Sequence, residues 1–184
     1  MPATLIGAHM PTGGGGIAQA VRDGKEIGCT AVQVFTKSPR IWASPKIDAE
    51  KIAEFKKAVE ESGNPALVSH DSYLINLAAP LPEAREKSIE ALTGEMVRCG
   101  QFGIPFVVSH MGAHMGEGEE VGIGRVVEGA KQVLADSPET VTLLMETTAG
   151  QGSALNWKFE QLAGILDAAG RPKRLAVCLD TCHI

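Results

Sequence analysis

The sequence lacks a long apolar segment and an export signal. No run of apolar residues approaches the roughly 18 that a membrane-spanning helix needs. The N-terminal residues MPATLIGAH lack the basic start and the apolar core of a signal peptide. We therefore expect a cytoplasmic protein that does not enter a membrane.

A convincing zinc-binding cysteine motif and excess positive charge are also missing. The four cysteines are scattered along a chain without an export signal, so we expect reduced thiols. Cys178 and Cys182 have a C-x3-C spacing, which is not a convincing zinc knuckle. The formal net charge of −5 counts against a broad cationic face for nucleic acid. It does not exclude a protein whose metal ions and a few loops supply positive potential.

The sequence contains short apolar segments that alternate with amphipathic ones, with no low-complexity segment or linker between them. The 184 residues suit a single domain with its own core. Strands are predicted at 3–8, 30–35, 66–69, 105–109, 141–145 and 174–179, most of them apolar on both faces as in buried parallel strands. Helices are predicted at 16–27, 48–62, 83–101, 119–136 and 157–169, with Asp48 as the N-cap of the second.

Strands and helices that alternate in this way indicate a parallel sheet with right-handed crossovers. Two α/β architectures compete, an open doubly wound sheet and a TIM-type (β/α)8 barrel. A barrel needs roughly 250 residues, so length alone favours the open sheet. The chain offers about five βα units plus a sixth strand.

Metal-ligand residue types close most of the predicted strands. His9 closes the first strand and Thr36 the second. From Thr36 onward, His70, His110, Glu146 and Asp180 follow at successive intervals of 34, 40, 36 and 34 residues. In a barrel the carboxyl ends of the strands converge on one mouth, whereas in an open sheet they spread along roughly 20 Å. Ligands bind zinc at about 2.0–2.2 Å and must converge, so this pattern favours the barrel.

A single histidine at a strand end is more often structural than a ligand, but here four of the five histidines lie at or just after strand ends. Glu146 and Asp180 each put a carboxylate at the end of an apolar strand, where a cation partner would remove the cost of burial. Asp180 and His183 could reach one site if their loop turns helical. The residues alone therefore favour a metal-dependent hydrolase or isomerase that uses zinc or manganese.

Several segments resemble the AP endonuclease family 2. They are HDSYLINLA at 70–78, VCLDTCH at 177–183 and ETTAGQG at 146–152, with further similarity in GAHMPTGGG near the start and FTKSPRIW at 35–42. The resemblance runs along the whole chain in order. It implies a TIM-type barrel, three zinc ions, and cleavage of DNA on the 5′ side of abasic sites in base excision repair, which leaves a 3′-hydroxyl.

The resemblance also implies roles for individual residues. His70 and His110 would bind one zinc, and Glu146, the catalytic residue, would bridge it to a second zinc that Asp180 also binds. His183 would bind the third. His9 and His114 would support these ligands from nearby positions.

The partner implied is double-stranded DNA that contains an abasic site, bound by a monomer. Tyr73 and Leu74 would fill the gap left by the ejected nucleotide, with Arg40 inserted beside them and Ile41 in the groove-probing loop. The sequence departs from the family at three positions. Ile41 stands where the family commonly has Gln, Met111 replaces a Pro, and Thr147 replaces an Asn.

Members of that family are longer and draw further zinc ligands from the additional length. The resemblance therefore implies that residues 1–184 are the N-terminal two-thirds of a TIM-type barrel. We expect ligands for one complete zinc site, a chain that is a fragment of a longer gene product, and little activity from this chain alone.

Two other hypotheses compete with a repair endonuclease. One is a divalent-metal sugar isomerase or epimerase of the xylose isomerase-like barrel superfamily, although such an enzyme has no use for a Tyr-Leu wedge on its rim. The other is a chain that binds one zinc or none and has no catalytic role.

Overall fold

A computed structural model of the chain describes residues 4–184. Six strands and five helices alternate along this range. The strands are β1 Gly7–His9, β2 Ala31–Val34, β3 Ala66–His70, β4 Phe106–Ser109, β5 Thr142–Glu146 and β6 Leu175–Cys178. The helices are α1 Gly16–Glu26, α2 Ala49–Glu61, α3 Pro82–Phe102, α4 Glu119–Ala135 and α5 Phe159–Ala168. Nearly every boundary lies within two residues of its predicted position.

The six strands form one parallel sheet in the sequential order β1-β2-β3-β4-β5-β6. A doubly wound sheet would reverse its strand order at a switch point, and this sheet does not. The prediction of a TIM-type barrel architecture over an open doubly wound sheet is therefore confirmed.

The first strand begins later than predicted. Ala3, the first residue of the predicted strand 3–8, lies outside the described residues. The carbonyl of Ile6 accepts from the backbone N–H groups of Thr30 and Ala31, and ladder pairing starts only at Gly7 opposite Ala31. A Cβ at position 7 would lie 1.7 Å from the Ala31 carbonyl oxygen, so this close approach requires glycine.

The core lies between the sheet and the helices. Strand residues such as Leu67 and Val107 pack against helix residues such as Leu92 and Met96, and all four are buried. Among residues 4–184, no helix combines the length and the apolar character that crossing a membrane requires. The four cysteines, all in the described range, form no disulfide with one another.

Local sequence signals begin and end the helices. The predicted N-cap is confirmed, because an Asp48 Oδ1 atom accepts the backbone N–H of Lys51 at 2.8 Å. Helix α3 starts with Pro82 and ends at Phe102, and it is capped by Gly103, whose φ of 81° is left-handed.

Candidate metal centre

The candidate ligands reach one end of the sheet because side-chain direction alternates along a strand. Ser69 faces the helices, since its hydroxyl donates to Glu95 on α3 at 2.7 Å. The next residue, His70, therefore faces the opposite side. Glu146 likewise follows Met145, which is fully buried in the core. His70 and Glu146 are the last residues of β3 and β5, so both project at the carboxyl edge of the sheet.

Two predicted ligands converge on one oxygen atom of a third. Oε2 of Glu146 lies 3.1 Å from Nε2 of His70 and 2.7 Å from Nε2 of His110. Burial by itself raises the pKa of Glu146, but the hydrogen bonds from His110 and His70 outweigh it and hold that pKa well below the usual range. The carboxylate is therefore anionic, as a metal ligand must be.

His70 is oriented by the residue that follows it. Its Nδ1 donates to the Asp71 carbonyl oxygen at 3.0 Å and lies 3.5 Å from Oδ1 of Asp71, which leaves Nε2 facing Glu146. Burial raises the pKa of Asp71 to about 7, although Ser109, which donates to its Oδ2 at 2.5 Å, and His70 act in the opposite direction. A hydrogen bond from the second ring nitrogen commonly fixes the tautomer of a metal-binding histidine.

Glu146 also belongs to a second group, with Asp180 and His183. Nδ1 of His183 lies 3.2 Å from Oδ2 of Asp180 and donates to the Thr147 carbonyl oxygen at 2.8 Å. The Thr147 hydroxyl accepts the Asp180 backbone N–H at 2.9 Å and so holds the loop after β6 against β5. The resemblance implied that Asp180 shares a zinc with Glu146 and that His183 binds another, and the structure brings ligand atoms of all three within 4.8 Å of one another.

The donor set fits a divalent metal. In each group the ligand atoms lie within 4.8 Å of one another. Two ligands at about 2.1 Å from a tetrahedral ion stand about 3.4 Å apart, so small side-chain movements suffice to bind it. Imidazole nitrogens and carboxylate oxygens without thiolate suit zinc or manganese. His70, His110 and Glu146 offer a set for one ion, and Glu146, Asp180 and His183 offer a partial set for another.

The two remaining histidines lie differently. The His9 ring packs at a tilt of 50° against Phe35 with ring centroids 4.5 Å apart, and the Phe35 ring lies 5.7 Å from the His70 ring. Burial and the nearby His70 lower the pKa of His9. Nδ1 of His114 accepts the backbone N–H groups of Gly116 and Gly118 at 3.2 and 3.1 Å. Phe35 thus lies between His9 and the cluster, whereas these hydrogen bonds of His114 stay within its own loop.

The predicted DNA-contacting residues lie on the rim beside the cluster. Tyr73, 63% exposed, has its ring 6.0 Å from that of His70, and Leu74 follows it. Arg40 and Ile41 are exposed in the loop after β2. One cavity of about 280 Å³ is lined both by Tyr73 and Leu74 of this rim and by the predicted ligands His110 and His183.

Sequence reasoning missed three residues that organise the site, namely Asp71, Thr147 and Asn76. Asn76 joins two loops, because its amide group exchanges hydrogen bonds of 3.0 Å with the backbone N–H and carbonyl of Ala113. Asp71 gave a usable signal, since a second charged residue directly follows His70 at the end of a strand. The only sequence signal at Thr147 was its departure from the family pattern. Asn76 had no such signal.

Comparison with known proteins identifies the family. The AP endonuclease 2 family model, described as a xylose isomerase-like TIM barrel, matches residues 21–184. The chain belongs to this family.

Named members and neighbours include both nucleases and sugar epimerases. A probable endonuclease 4 from Chloroflexus aggregans is 45% identical over 180 residues, which are 97% of this chain and 63% of that protein. The chain thus spans less than two thirds of this curated relative. The crystal structure of endonuclease IV from Thermus thermophilus matches with a TM-score of 0.83 at 36% identity, over 95% of this chain and 62% of that one. D-psicose 3-epimerase from Clostridium cellulolyticum matches with a TM-score of 0.74 at 16% identity, over 90% and 58%, which shows a shared fold alone.

Proposed function

We propose that this chain carries the metal-binding and DNA-contacting residues of a DNA-repair endonuclease. The enzyme hydrolyses the phosphodiester on the 5′ side of an abasic site and leaves a 3′-hydroxyl, in base excision repair. The main support is that the exposed pair Tyr73 and Leu74 and the metal-ligand residues His110 and His183 line the same cavity. The relatives named endonuclease 4 support the same reaction class.

His70, His110 and Glu146 hold the first zinc in this proposal, with manganese as the alternative. Glu146 also faces Asp180 and His183, which hold further metal. Bound zinc would polarise the phosphodiester and supply a hydroxide nucleophile. Asp71 keeps His70 in the tautomer that presents Nε2, and Thr147 keeps Asp180 at the mouth. Glu146 is the catalytic residue because both groups depend on its carboxylate.

The rim supplies recognition of the DNA. Ejecting a nucleotide is cheapest where a base is already missing, and the ring of Tyr73 and the side chain of Leu74 can fill the gap. Arg40 adds positive charge beside them. The cavity of about 280 Å³ that this rim and the histidines line would accommodate the sugar and phosphate of the ejected nucleotide. Local recognition of this kind suits a monomer whose formal net charge is −5.

A sugar isomerase or epimerase remains the alternative function. The fold shared with D-psicose 3-epimerase is compatible with this function. At 16% identity, however, the likeness says nothing about the substrate. An exposed aromatic residue on an open rim suits a stacked nucleic acid better than a small enclosed sugar.

The test joins this chain to the part of the Chloroflexus aggregans protein that lies beyond the aligned region. The zinc-loaded fusion is incubated with a duplex that holds one tetrahydrofuran abasic analogue. We expect one nick on the 5′ side of the analogue, with a 3′ end that a polymerase extends, and no cleavage of the intact duplex. Chelation of the metal or Glu146→Gln should abolish the nick.

An intact abasic duplex together with epimerisation of a ketose by the same fusion would overturn the proposal. The 184-residue chain is assayed in parallel, to test the expectation that it has little activity alone. A fusion with the exposed Glu60 changed to Gln serves as the matched control, and it should nick like the parent.

A further inference from the structure

One arginine on α3 binds both ends of the loop that carries Arg40 and Ile41. This loop joins β2 to α2 and is called the probe loop here, residues 36–47. Nη2 of Arg98 donates to the Thr36 carbonyl oxygen at 2.6 Å, and its Nε donates to the Thr36 hydroxyl at 3.1 Å. Nη1 of Arg98 donates to the Pro45 carbonyl oxygen at 2.6 Å. A single guanidinium thus fixes where the probe loop begins and where it ends.

A buried carboxylate on the same helix supports this arginine. Glu95 is 2% exposed and accepts the Thr36 hydroxyl at 2.7 and 2.8 Å and the Ser69 hydroxyl at 2.7 Å. Burial lowers the pKa of Arg98, and the negative charge of Glu95 opposes that shift. The two side chains therefore balance each other in charge while both hold Thr36. They sit one helical turn apart, on the face of α3 that meets the probe loop.

The probe loop in turn holds the neighbouring rim. The carbonyl oxygen of Pro39 accepts the Ser72 hydroxyl at 2.8 Å and the backbone N–H of Tyr73 at 3.2 Å. Hydrogen bonds therefore attach the probe loop to Arg98 at its two ends and to Tyr73 at Pro39. None of these bonds involves a metal ligand.

We propose that Arg98, balanced by Glu95, is a positioning residue that holds the probe loop and Tyr73 ready to contact DNA. The inference rests on the proposed function, because it assigns the probe loop to DNA. Ordering the loop before binding removes part of the entropy cost of association. The planar guanidinium reaches three acceptors at once, which the single ammonium of a lysine cannot do. DNA affinity therefore depends on Arg98, and metal binding does not.

The test compares Arg98→Met, Arg98→Lys and the unchanged 184-residue chain in three measurements. Trypsin cleavage after Arg40 and Lys46 reports the order of the probe loop. Fluorescence anisotropy with the tetrahydrofuran duplex and with an intact duplex reports DNA binding. The rise in melting temperature on zinc addition reports the metal centre.

For Arg98→Met we expect faster cleavage in the probe loop, roughly ten- to hundredfold weaker binding of the abasic duplex, and an unchanged zinc effect. Arg98→Lys should lie between Arg98→Met and the unchanged chain. Arg171→Met is the matched control: it removes the same charge from an exposed residue ahead of β6, at the opposite end of the sheet. It should change none of the three results.

Unchanged cleavage in Arg98→Met, or faster cleavage with unchanged DNA affinity, overturns this inference. If the unchanged chain binds abasic and intact duplexes equally, the proposed function fails and the DNA role of Arg98 fails with it, while the cleavage rates still report the loop contact. Should Arg98→Met not fold because Glu95 is left without its cation, the double variant Glu95→Gln/Arg98→Met removes that buried charge and takes its place.

Discussion

Replacing Glu146 with glutamine should weaken metal binding strongly while it changes the stability of the metal-free fold only slightly. Glutamine keeps the length of the side chain and one carbonyl oxygen, so His70 and His110 keep an acceptor. The contacts at 3.1 and 2.7 Å lose their charge assistance. Because a charge-assisted hydrogen bond exceeds a neutral one by about 1 kcal/mol, the metal-free variant should lose at most about 2 kcal/mol of stability.

The effect with metal should be much larger in relative terms. Loss of a residue that only supports a ligand costs roughly 10- to 100-fold in metal affinity, so loss of a ligand shared by both groups should cost about 100-fold or more. At a zinc concentration of about 100 Kd the unchanged protein gains about 2.7 kcal/mol, and the variant about 0.4 kcal/mol. At about 2–4 °C per kcal/mol for this chain length, zinc raises the melting temperature by about 5–11 °C in the first case and about 1–2 °C in the second.

The assay is thermal unfolding of both proteins in metal-free buffer, with and without added zinc. Glu60→Gln, which changes an exposed glutamate on α2, controls for the loss of one charge and should keep the full zinc effect. If Glu146→Gln retains a shift like that of the unchanged protein, zinc binds elsewhere and the assignment of the centre is wrong.

Two further predictions concern the rim and the loops behind it. Tyr73→Ala should weaken binding of an abasic duplex by about 1–3 kcal/mol in anisotropy titrations, the usual value of a base–aromatic stack, whereas Tyr73→Phe keeps the ring and should bind normally. Gly112→Ala should lower stability in urea unfolding by about 1–3 kcal/mol, because φ is +123° there and a Cβ would lie 2.1 Å from Oδ1 of Asn76. Gly124→Ala, on α4 with open space around it, should raise stability by about 0.5–1 kcal/mol; effects of the same sign at both glycines would contradict this account.

The fold could be predicted because its signals are local and repeated. Apolar periodicity placed five helices and six strands, and Asp48 marked a helix start that the structure confirms. The predicted start of β1 was wrong, because it depends on a tertiary contact that the local sequence does not show. Leu5 and Ile6 read as strand residues, but both are exposed, and ladder pairing begins where Gly7 lets β2 approach.

The convergence of ligands could be predicted in kind but not in detail. Residue types at strand ends indicated that His70, His110 and Glu146 would meet, and their nitrogen and oxygen atoms do meet. The pairing of Asp180 with His183 depends on the Thr147 hydroxyl, which periodicity cannot place. Glu95 and Arg98 left a weaker signal, two charged residues beside Met96 and Cys99 on an otherwise apolar helix face. Their acceptors in the probe loop depend on tertiary packing alone.

The rim, and not the metal cluster, distinguishes between the two candidate functions, DNA cleavage and sugar epimerisation. The fold shared with D-psicose 3-epimerase at a TM-score of 0.74 shows that this barrel framework occurs in proteins with different activities, so ligand residues at strand ends carry little information on substrate. The Tyr73 segment and the probe loop differ in this respect, because they lie outside the cluster and are bonded to each other through Pro39. Variants there should alter DNA binding while zinc binding stays intact. A metal measurement and a DNA measurement on the same variants therefore distinguish substrate recognition from metal binding, which neither measurement does alone.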